Sequence, residues 1–144
     1  MGLNYWDKLQ ELHLYSQERR RERYQVIFLW KISQGMVSGY DLQFTSGIAG
    51  RRGRSIIPNT VVRAAPAAVR QARERSLGVK GVNIFNLLPE QIRSMNTDHV
   101  EYFKNHLDVF LSSIPDQPTM TGLGRAAENN SLLFQLPMFY TQMN

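Results

Sequence analysis

The sequence predicts a small, mainly α-helical domain with a short β-hairpin-like insertion in a basic middle third. A helix is predicted over residues 97–114, where apolar residues recur at helical spacing. They are Val100, Phe103, Leu107, Phe110, Leu111 and Ile114. A second long helix is predicted over 16–34, with Ser16 as its N-cap and Gly35 at its end. Between the two lies the segment 40–78, where glycine, proline and arginine interrupt any helical period.

Two shorter helical segments complete the predicted core. Residues 4–14 read as an amphipathic helix that Asn4 can cap. Residues 82–93 combine an apolar cluster with Pro89, a residue suited to the first turn of a short helix. We expect the helices near 4–14, 16–34 and 97–114 to pack on one another, with 82–93 plugging the core.

The middle of the chain is predicted to be irregular. Residues 46–54 are rich in glycine and arginine, which is typical of a mobile loop. Residues 55–57 and 60–63 flank Pro58-Asn59 and fit two short strands joined by a turn. Residues 64–68 contain Pro66 and are an unconvincing helix start. Residues 69–77 alternate imperfectly and suit a strand or a helix, and we favour the strand.

The chain divides into a predicted helical segment, 1–118, and an extended C-terminal tail, 119–144, with one possible short helix at 128–136. Its 144 residues fit one domain, and 42% apolar residues suffice for a core. It has no cysteine, no signal-peptide pattern at its start and no apolar run near the roughly 20 residues that span a bilayer. We therefore expect an intracellular protein, nuclear or cytoplasmic, without a membrane partner.

Positive charge is concentrated in the middle of the chain. Residues 42–97 carry nine Lys/Arg and two Asp/Glu, a net charge of +7, whereas residues 98–144 carry two and five, a net charge of −3. All the basic residues of 42–97 except Lys80 are arginines, whose planar guanidinium groups suit phosphates and bases. This pattern predicts RNA and/or DNA as the partner, bound largely without regard to sequence; the alternative is a solvated face with scattered ion pairs.

The predicted phosphate contacts are arginines. Four of them fall within about two turns at the start of the 16–34 helix, where exposed guanidinium groups would meet a polyphosphate backbone. A second group lies in the basic middle third. The candidate nucleic-acid-binding residues are Arg19, Arg20, Arg21, Arg23, Arg51, Arg52, Arg54, Arg70 and Arg73.

No residue pattern predicts catalysis, a metal ion or a cofactor. His99 and His106 are seven residues apart, and no second histidine pair gives the spacing of a zinc helix. Two-metal polymerases and nucleases need converging carboxylates, and this chain has no adjacent aspartate pair. We therefore predict no catalytic residue and no enzymatic turnover by this chain alone.

The aromatic residues are predicted to divide between core and surface. Tyr24, Phe28 and Trp30 fall at helical spacing among apolar residues, which is typical of a core. Tyr5, Tyr15 and Tyr40 are less constrained by the pattern, which leaves them available to stack on bases. Nothing in the sequence selects among them.

Three segments together resemble a known family. They are LHLYSQERRRERYQVIFLWKISQG at 12–35, GVKGVNIFNLLPEQIRSM at 78–95 and VEYFKNHLDVFLSSIPDQP at 100–118. In this order and spacing they resemble the C-terminal part of the polyprotein of non-LTR (LINE-type, jockey-like) retrotransposons, over roughly residues 5–136. The arginine–tyrosine–tryptophan helix and IFNLLPEQIR at 84–93 are the most specific matches.

The resemblance implies a role beside a reverse transcriptase. The family's polyprotein joins an endonuclease to an RNA-directed DNA polymerase, and the similar segment follows the polymerase palm, in the thumb and post-thumb region expected to hold template and primer. The paired catalytic aspartates of the family are absent, so no catalytic residue carries over. The helix motif carries over Arg19, Arg20, Arg21, Arg23, Tyr24 and Trp30.

Two alternatives stay open at the level of sequence. One is a protein-interaction or structural module, which in a parent polyprotein would pack on the polymerase palm. The other is a remnant of a truncated element without a selected function, because Met1 lies only a few residues before the matching region.

Overall fold

A computed structural model describes residues 2–40, 56, 66–118 and 130–143. These residues form seven α-helices and one π-helical turn, so the prediction of a mainly α fold is confirmed. The helices are α1 (Tyr5–Glu11), α2 (Gln17–Ser33), α3 (Ala67–Glu74), α4 (Val82–Leu87), α5 (Glu90–Arg93), α6 (Val100–Ser112) and α7 (Leu132–Met143), and the π-helical turn covers Leu77–Gly81.

The central element is α2. It begins as predicted, because the Ser16 hydroxyl accepts a hydrogen bond from the Arg19 N–H at 3.1 Å, and it ends before Gly35, whose φ of 74° suits glycine. Its C-terminal half is buried through Val26, Ile27, Leu29, Trp30 and Ile32. The indole of Trp30 stacks on Phe103 of α6 with ring centroids 4.2 Å apart, which joins the two long helices.

Helix α1 contributes less to the core than expected. The Asn4 side chain accepts from the Asp7 N–H at 2.9 Å, which confirms Asn4 as the cap, but α1 contains no buried residue. Its Trp6 and Leu9 instead line a surface cleft with Leu111 at the end of α6. The predicted helix is therefore present but shorter than 4–14, and its apolar residues meet the end of α6 at the surface.

The 82–93 segment does plug the core, as predicted. Val82, Ile84, Phe85, Leu88 and Ile92 are all buried. The π-helical turn before it passes close to α2: a Cβ placed on Gly81 would lie 3.3 Å from the Cβ of Gln25. Close packing of these two backbones thus depends on the missing side chain of Gly81.

Residues 67–74 form helix α3, so our preference for a strand over 69–77 is wrong. The helix begins directly after Pro66. Proline fixes its own φ near the helical value and is tolerated at helix starts, and the alanines that follow are the strongest helix formers. Imperfect alternation over a few residues was a weaker signal than these two local preferences.

Most of the predicted hairpin and the glycine–arginine loop lie outside the described residues. Ile56 is described and buried. Its N–H donates to the Asn86 side-chain oxygen at 2.8 Å, and its C=O accepts from the Asn86 amide nitrogen at 2.7 Å. The Asn86 amide therefore pairs with Ile56 as a neighbouring strand's backbone would.

Helix α7 is longer than the short helix expected at 128–136, and it belongs to the core. It runs for 12 residues through Pro137, and Leu132 and Leu136 are fully buried. The Tyr140 hydroxyl donates to the Leu87 carbonyl of α4. The segment expected to be an extended tail therefore contains a helix that packs on α4. Burial of the two leucines offsets the hydrogen bond that Pro137 cannot donate.

We predict that Leu136→Ala destabilises the protein by about 2–5 kcal/mol, because it opens a cavity between α7 and α4. The matched control on the same helix is Phe134→Ala, which removes a side chain that is 52% exposed and is expected to change stability by less than about 0.5 kcal/mol. Urea unfolding followed by circular dichroism measures both. Equal, small effects would show that α7 does not pack as described.

Candidate nucleic-acid interface

The four arginines at the start of α2 do not share one environment. Arg20 and Arg21 are exposed, Arg23 is half-buried and Arg19 is fully buried, with 0% of its surface accessible. Because an α-helix turns by roughly 100° per residue, a run of four arginines over five positions must point in several directions. The helix therefore directs Arg19 and Arg23 toward the fold and Arg20 and Arg21 toward solvent.

Arg19 is a core residue. Its Nη1 donates to the Ile114 carbonyl at 3.3 Å and its Nη2 to the Pro115 carbonyl at 2.9 Å, both just beyond α6. Burial lowers the pKa of Arg19, against the opposing charges of Asp116 and Glu22. The expectation that Arg19 is exposed and contacts a phosphate is wrong, because its guanidinium group donates to carbonyls in the segment that follows α6.

Beside Arg19, the cap of α2 is tied to two distant segments. The Ser16 hydroxyl donates to Asp116 Oδ1 at 2.6 Å, and the Ser16 N–H donates to Asp116 Oδ2 at 2.6 Å. The Asn130 amide nitrogen donates to Asp116 Oδ1 at 3.0 Å and to the Ser16 hydroxyl at 3.1 Å. Three residues far apart in sequence are thus joined in one polar cluster.

Glu22 forms a second buried charge on the same side of α2. It is 1% exposed, accepts from the Leu132 N–H at 2.8 Å and also accepts from the Ser131 hydroxyl, so it caps α7. Lys80 of the π-helical turn lies 3.2 Å from Glu22 and 3.6 Å from Glu18. Burial and the charge of Glu22 raise the pKa of Glu18, and Lys80 opposes that shift. Both glutamates of this turn of α2 therefore pair with Lys80 of the π-helical turn.

Arg23 is also committed within the fold. Its Nε lies 2.6 Å from Asp108 Oδ1 and its Nη2 lies 2.8 Å from Asp108 Oδ2, a bidentate pair with α6. The Tyr15 hydroxyl donates to the same Asp108 Oδ1 at 3.0 Å. Burial, the hydrogen bond to Asp108 and the charge of Asp108 raise the pKa of Tyr15 to about 12. Neither Arg23 nor Tyr15 is therefore available as expected for nucleic acid.

The outward face of α2 carries a different set of residues, which we call the α2 stripe: Arg20, Arg21, Tyr24, Phe28 and Lys31. At helical spacing these five positions fall within roughly a third of the helix circumference. Tyr24 is 59% exposed, which makes its predicted core position wrong. Trp30, predicted on the same pattern, is buried and donates from Nε1 to the Met95 carbonyl at 2.9 Å.

A shallow groove borders the α2 stripe. Its volume is about 380 Å³, and it is lined by Tyr24, Gln25, Ile27, Phe28, Lys31 and Leu77. Tyr40, which is exposed, packs edge-on against Phe28 with ring centroids 5.4 Å apart. Among the described residues, Arg20, Arg21 and Lys31 form no ion pair. These three cations flank the exposed ring of Tyr24 and the ring of Phe28, which is half-buried and packs against the core.

The remaining predicted contacts are only partly described. Arg51, Arg52 and Arg54 lie outside the described residues, and Arg70 and Arg73 lie on α3 with side chains that are not described. Sequence reasoning missed Lys31 and the exposed position of Tyr24. A helical wheel of 16–34 would have placed both beside Arg20 and Arg21, and thereby separated them from Arg19 and Trp30.

Other kinds of site find less support in the described residues. Within the ranges 2–40, 66–118 and 130–143, no group of three or more His, Asp or Glu side chains is placed to hold a metal ion. None of the described helices has the length and apolar character needed to cross a bilayer. No family model, curated protein or solved structure matches the chain.

Because Arg19 donates to two buried carbonyls, we predict that Arg19→Gln, which leaves them without these donors, lowers the free energy of unfolding by about 2–5 kcal/mol. Arg20→Gln on the exposed face removes the same charge and is expected to change stability by less than about 0.5 kcal/mol. Chemical unfolding of the two variants makes the comparison. An Arg19→Gln variant as stable as wild type would contradict the structural role assigned to Arg19.

The raised pKa of Tyr15 predicts a loss of stability at high pH. The neutral hydroxyl that donates to Asp108 is favoured in the folded state, so its contribution is complete below pH 10 and is lost as the pH rises toward about 12. Unfolding measured across this range should show stability falling with pH. In Tyr15→Phe, which lacks the titrating hydroxyl, this part of the decline should disappear, and an unchanged pH profile would exclude Tyr15 as its source.

Proposed function

We propose that this chain binds RNA and/or DNA along the α2 stripe, largely independently of sequence. The observation that carries the proposal is the exposed face of α2 itself, where Arg20, Arg21 and Lys31 surround the rings of Tyr24 and Phe28. Clustered unpaired cations attract a polyphosphate backbone, and exposed rings beside them are typical of nucleic-acid surfaces. Arg19, the buried arginine of the same helix, does not belong to this surface.

The geometry suits a strand laid along the helix. Arg20 and Lys31 are 11 residues apart, which corresponds to about 16 Å along the axis. Arg75 is exposed and precedes Leu77, which lines the groove beside the stripe, so the basic character extends beyond α2. The arginines of 51–54 and those of α3, Arg70 and Arg73, are the further contacts that the basic middle third supplies in this proposal.

The resemblance to non-LTR retrotransposon polyproteins supplies the biological setting of the proposal. In that setting the chain is a non-catalytic, post-palm segment of an RNA-directed DNA polymerase that helps to hold template and primer. The polymerase palm of the parent polyprotein would be its protein partner, and catalysis would rest with that partner. The α2 stripe supports this setting because it holds two arginines of the matching motif, Arg20 and Arg21, beside the exposed ring of Tyr24.

A second candidate is a protein-interaction module, favoured by exposed apolar side chains on α6 and α7. Val109 of α6 is 74% exposed, and Phe134 and Met138 of α7 are exposed as well. Large apolar side chains in water are a common feature of docking surfaces. This candidate predicts self-association in solution and indifference to nucleic acid.

We predict that binding to a fluorescent primer–template duplex, with single-stranded RNA measured alongside, weakens by at least about 15-fold between 50 and 200 mM salt. Three phosphates neutralised by the α2 stripe give a logarithmic salt slope of about 2 to 3 in magnitude. In the double variant Arg20→Gln with Arg21→Gln, the slope should fall by about 2.

The control is the double variant Lys8→Gln with Lys104→Gln, which removes the same net charge from α1 and α6. It should retain the wild-type slope if the α2 stripe, and not the overall charge, holds the phosphates. Equal effects of the two double variants would place the contact elsewhere. A folded chain that binds neither nucleic acid at low salt would favour the docking module.

A further inference from the structure

We infer that the α2 stripe selects unpaired strands, with a base stacked on Tyr24 and a neighbouring base seated in the groove beside Phe28. This inference rests on the proposed function and makes it more specific, because phosphate contacts alone do not distinguish a single strand from a duplex. It also departs from the expectation of a duplex-holding thumb segment. The argument depends on the rings of the stripe and on their order along the helix.

Two rings lie between cations along α2, in an order that fits a single strand. Arg20 and Arg21 lie one turn before Tyr24, Phe28 lies one turn after it, and Lys31 follows near the next turn. The phosphates of one strand can therefore contact both ends of the stripe while its bases meet the rings between them. A basic surface built only for phosphates would have no need of rings in its middle.

Tyr24 is held in place without being buried. It is 59% exposed, and one side of the ring borders the groove that Phe28 and Leu77 line. Because Tyr24 stands on a helix whose opposite face is buried, its backbone is fixed in place before any ligand arrives. A preplaced ring loses little conformational freedom on stacking, and this favours binding.

The groove beside Tyr24 offers both an apolar floor and a polar group. Phe28, Ile27 and Leu77 supply the apolar part, and the edge-on contact of Tyr40 fixes the ring of Phe28. Gln25 also lines the groove, and its Oε1 is buried without a hydrogen-bond partner among the described residues. An amino group on the edge of a base would satisfy this oxygen.

A duplex cannot use these features. Its bases are stacked on one another, so their flat faces are hidden and only phosphates and groove edges meet a convex helix. Stacking of an unpaired base on an aromatic side chain strengthens binding by about five- to 150-fold. The rings should therefore contribute to the affinity for single strands and contribute nothing to the affinity for duplexes.

The test compares one labelled strand, free and annealed to its complement, at fixed low salt with three variants of the full chain. Tyr24→Leu keeps an apolar side chain but removes the ring, Tyr24→Phe keeps the ring, and Arg20→Gln with Arg21→Gln removes charge. Circular dichroism establishes that each variant is folded. We expect wild type to bind the free strand at least fivefold more tightly than the duplex.

The variants separate the inference from the proposed function. Tyr24→Leu should lose at least fivefold affinity for the free strand and less than twofold for the duplex, whereas Tyr24→Phe should match wild type on both. The double arginine variant should weaken both ligands. If Tyr24→Leu changes neither ligand, or both equally, the inference fails while nucleic-acid binding stands. If the folded wild-type chain binds neither ligand, both the inference and the proposed function fail.

Discussion

The structure depends on the burial of two opposite charges, Arg19 and Glu22, within one turn of α2. A buried guanidinium group or carboxylate is costly unless it is paired and hydrogen-bonded. Arg19 donates from both terminal nitrogens to the carbonyls that follow α6, while its Nε has no partner among the described residues. Glu22 pairs with Lys80 and accepts from the start of α7. Partners for these two charges come from segments more than 50 residues away in the chain. A single turn of α2 therefore sets the positions of three segments: the loop after α6, the start of α7 and the π-helical turn.

This arrangement explains how one arginine-rich helix can be both the centre of the fold and a candidate interface. The inward side uses Arg19 and Arg23 as specific donors, to carbonyls and to the Asp108 carboxylate. With those partners fixed, the rotation of α2 about its axis is fixed as well. Arg20, Arg21 and Tyr24 are then held outward on a rigid element, and their spacing does not depend on a ligand. Preplaced groups of this kind bind with a smaller entropic cost than groups on a loop.

The two proposed surfaces lie on different helices and can operate together. The α2 stripe is basic and aromatic, whereas the exposed apolar residues lie on α6 and α7. In a parent polyprotein one surface would face nucleic acid and the other would face the polymerase palm, as the family resemblance suggests. Nucleic-acid binding uses cations and aromatic rings, whereas protein docking uses apolar side chains. Substitutions on α2 and on α7 can therefore test the two functions independently.

The sequence by itself determined the features that depend only on residues close together in the chain. The helical period of 97–114, the caps Asn4 and Ser16 and the apolar 82–93 segment are local patterns, and the mainly α fold follows from them. Only the tertiary structure decided which arginines are buried and whether residues beyond 130 belong to the core. A helical wheel separates Arg19 from Arg20, but only the tertiary structure supplies the carbonyls after α6 that accept hydrogen bonds from the buried Arg19. Pro137 disfavours a helix through its own position, but burial of Leu132 and Leu136 outweighs that local preference, because packing energy depends on partners that no local pattern contains.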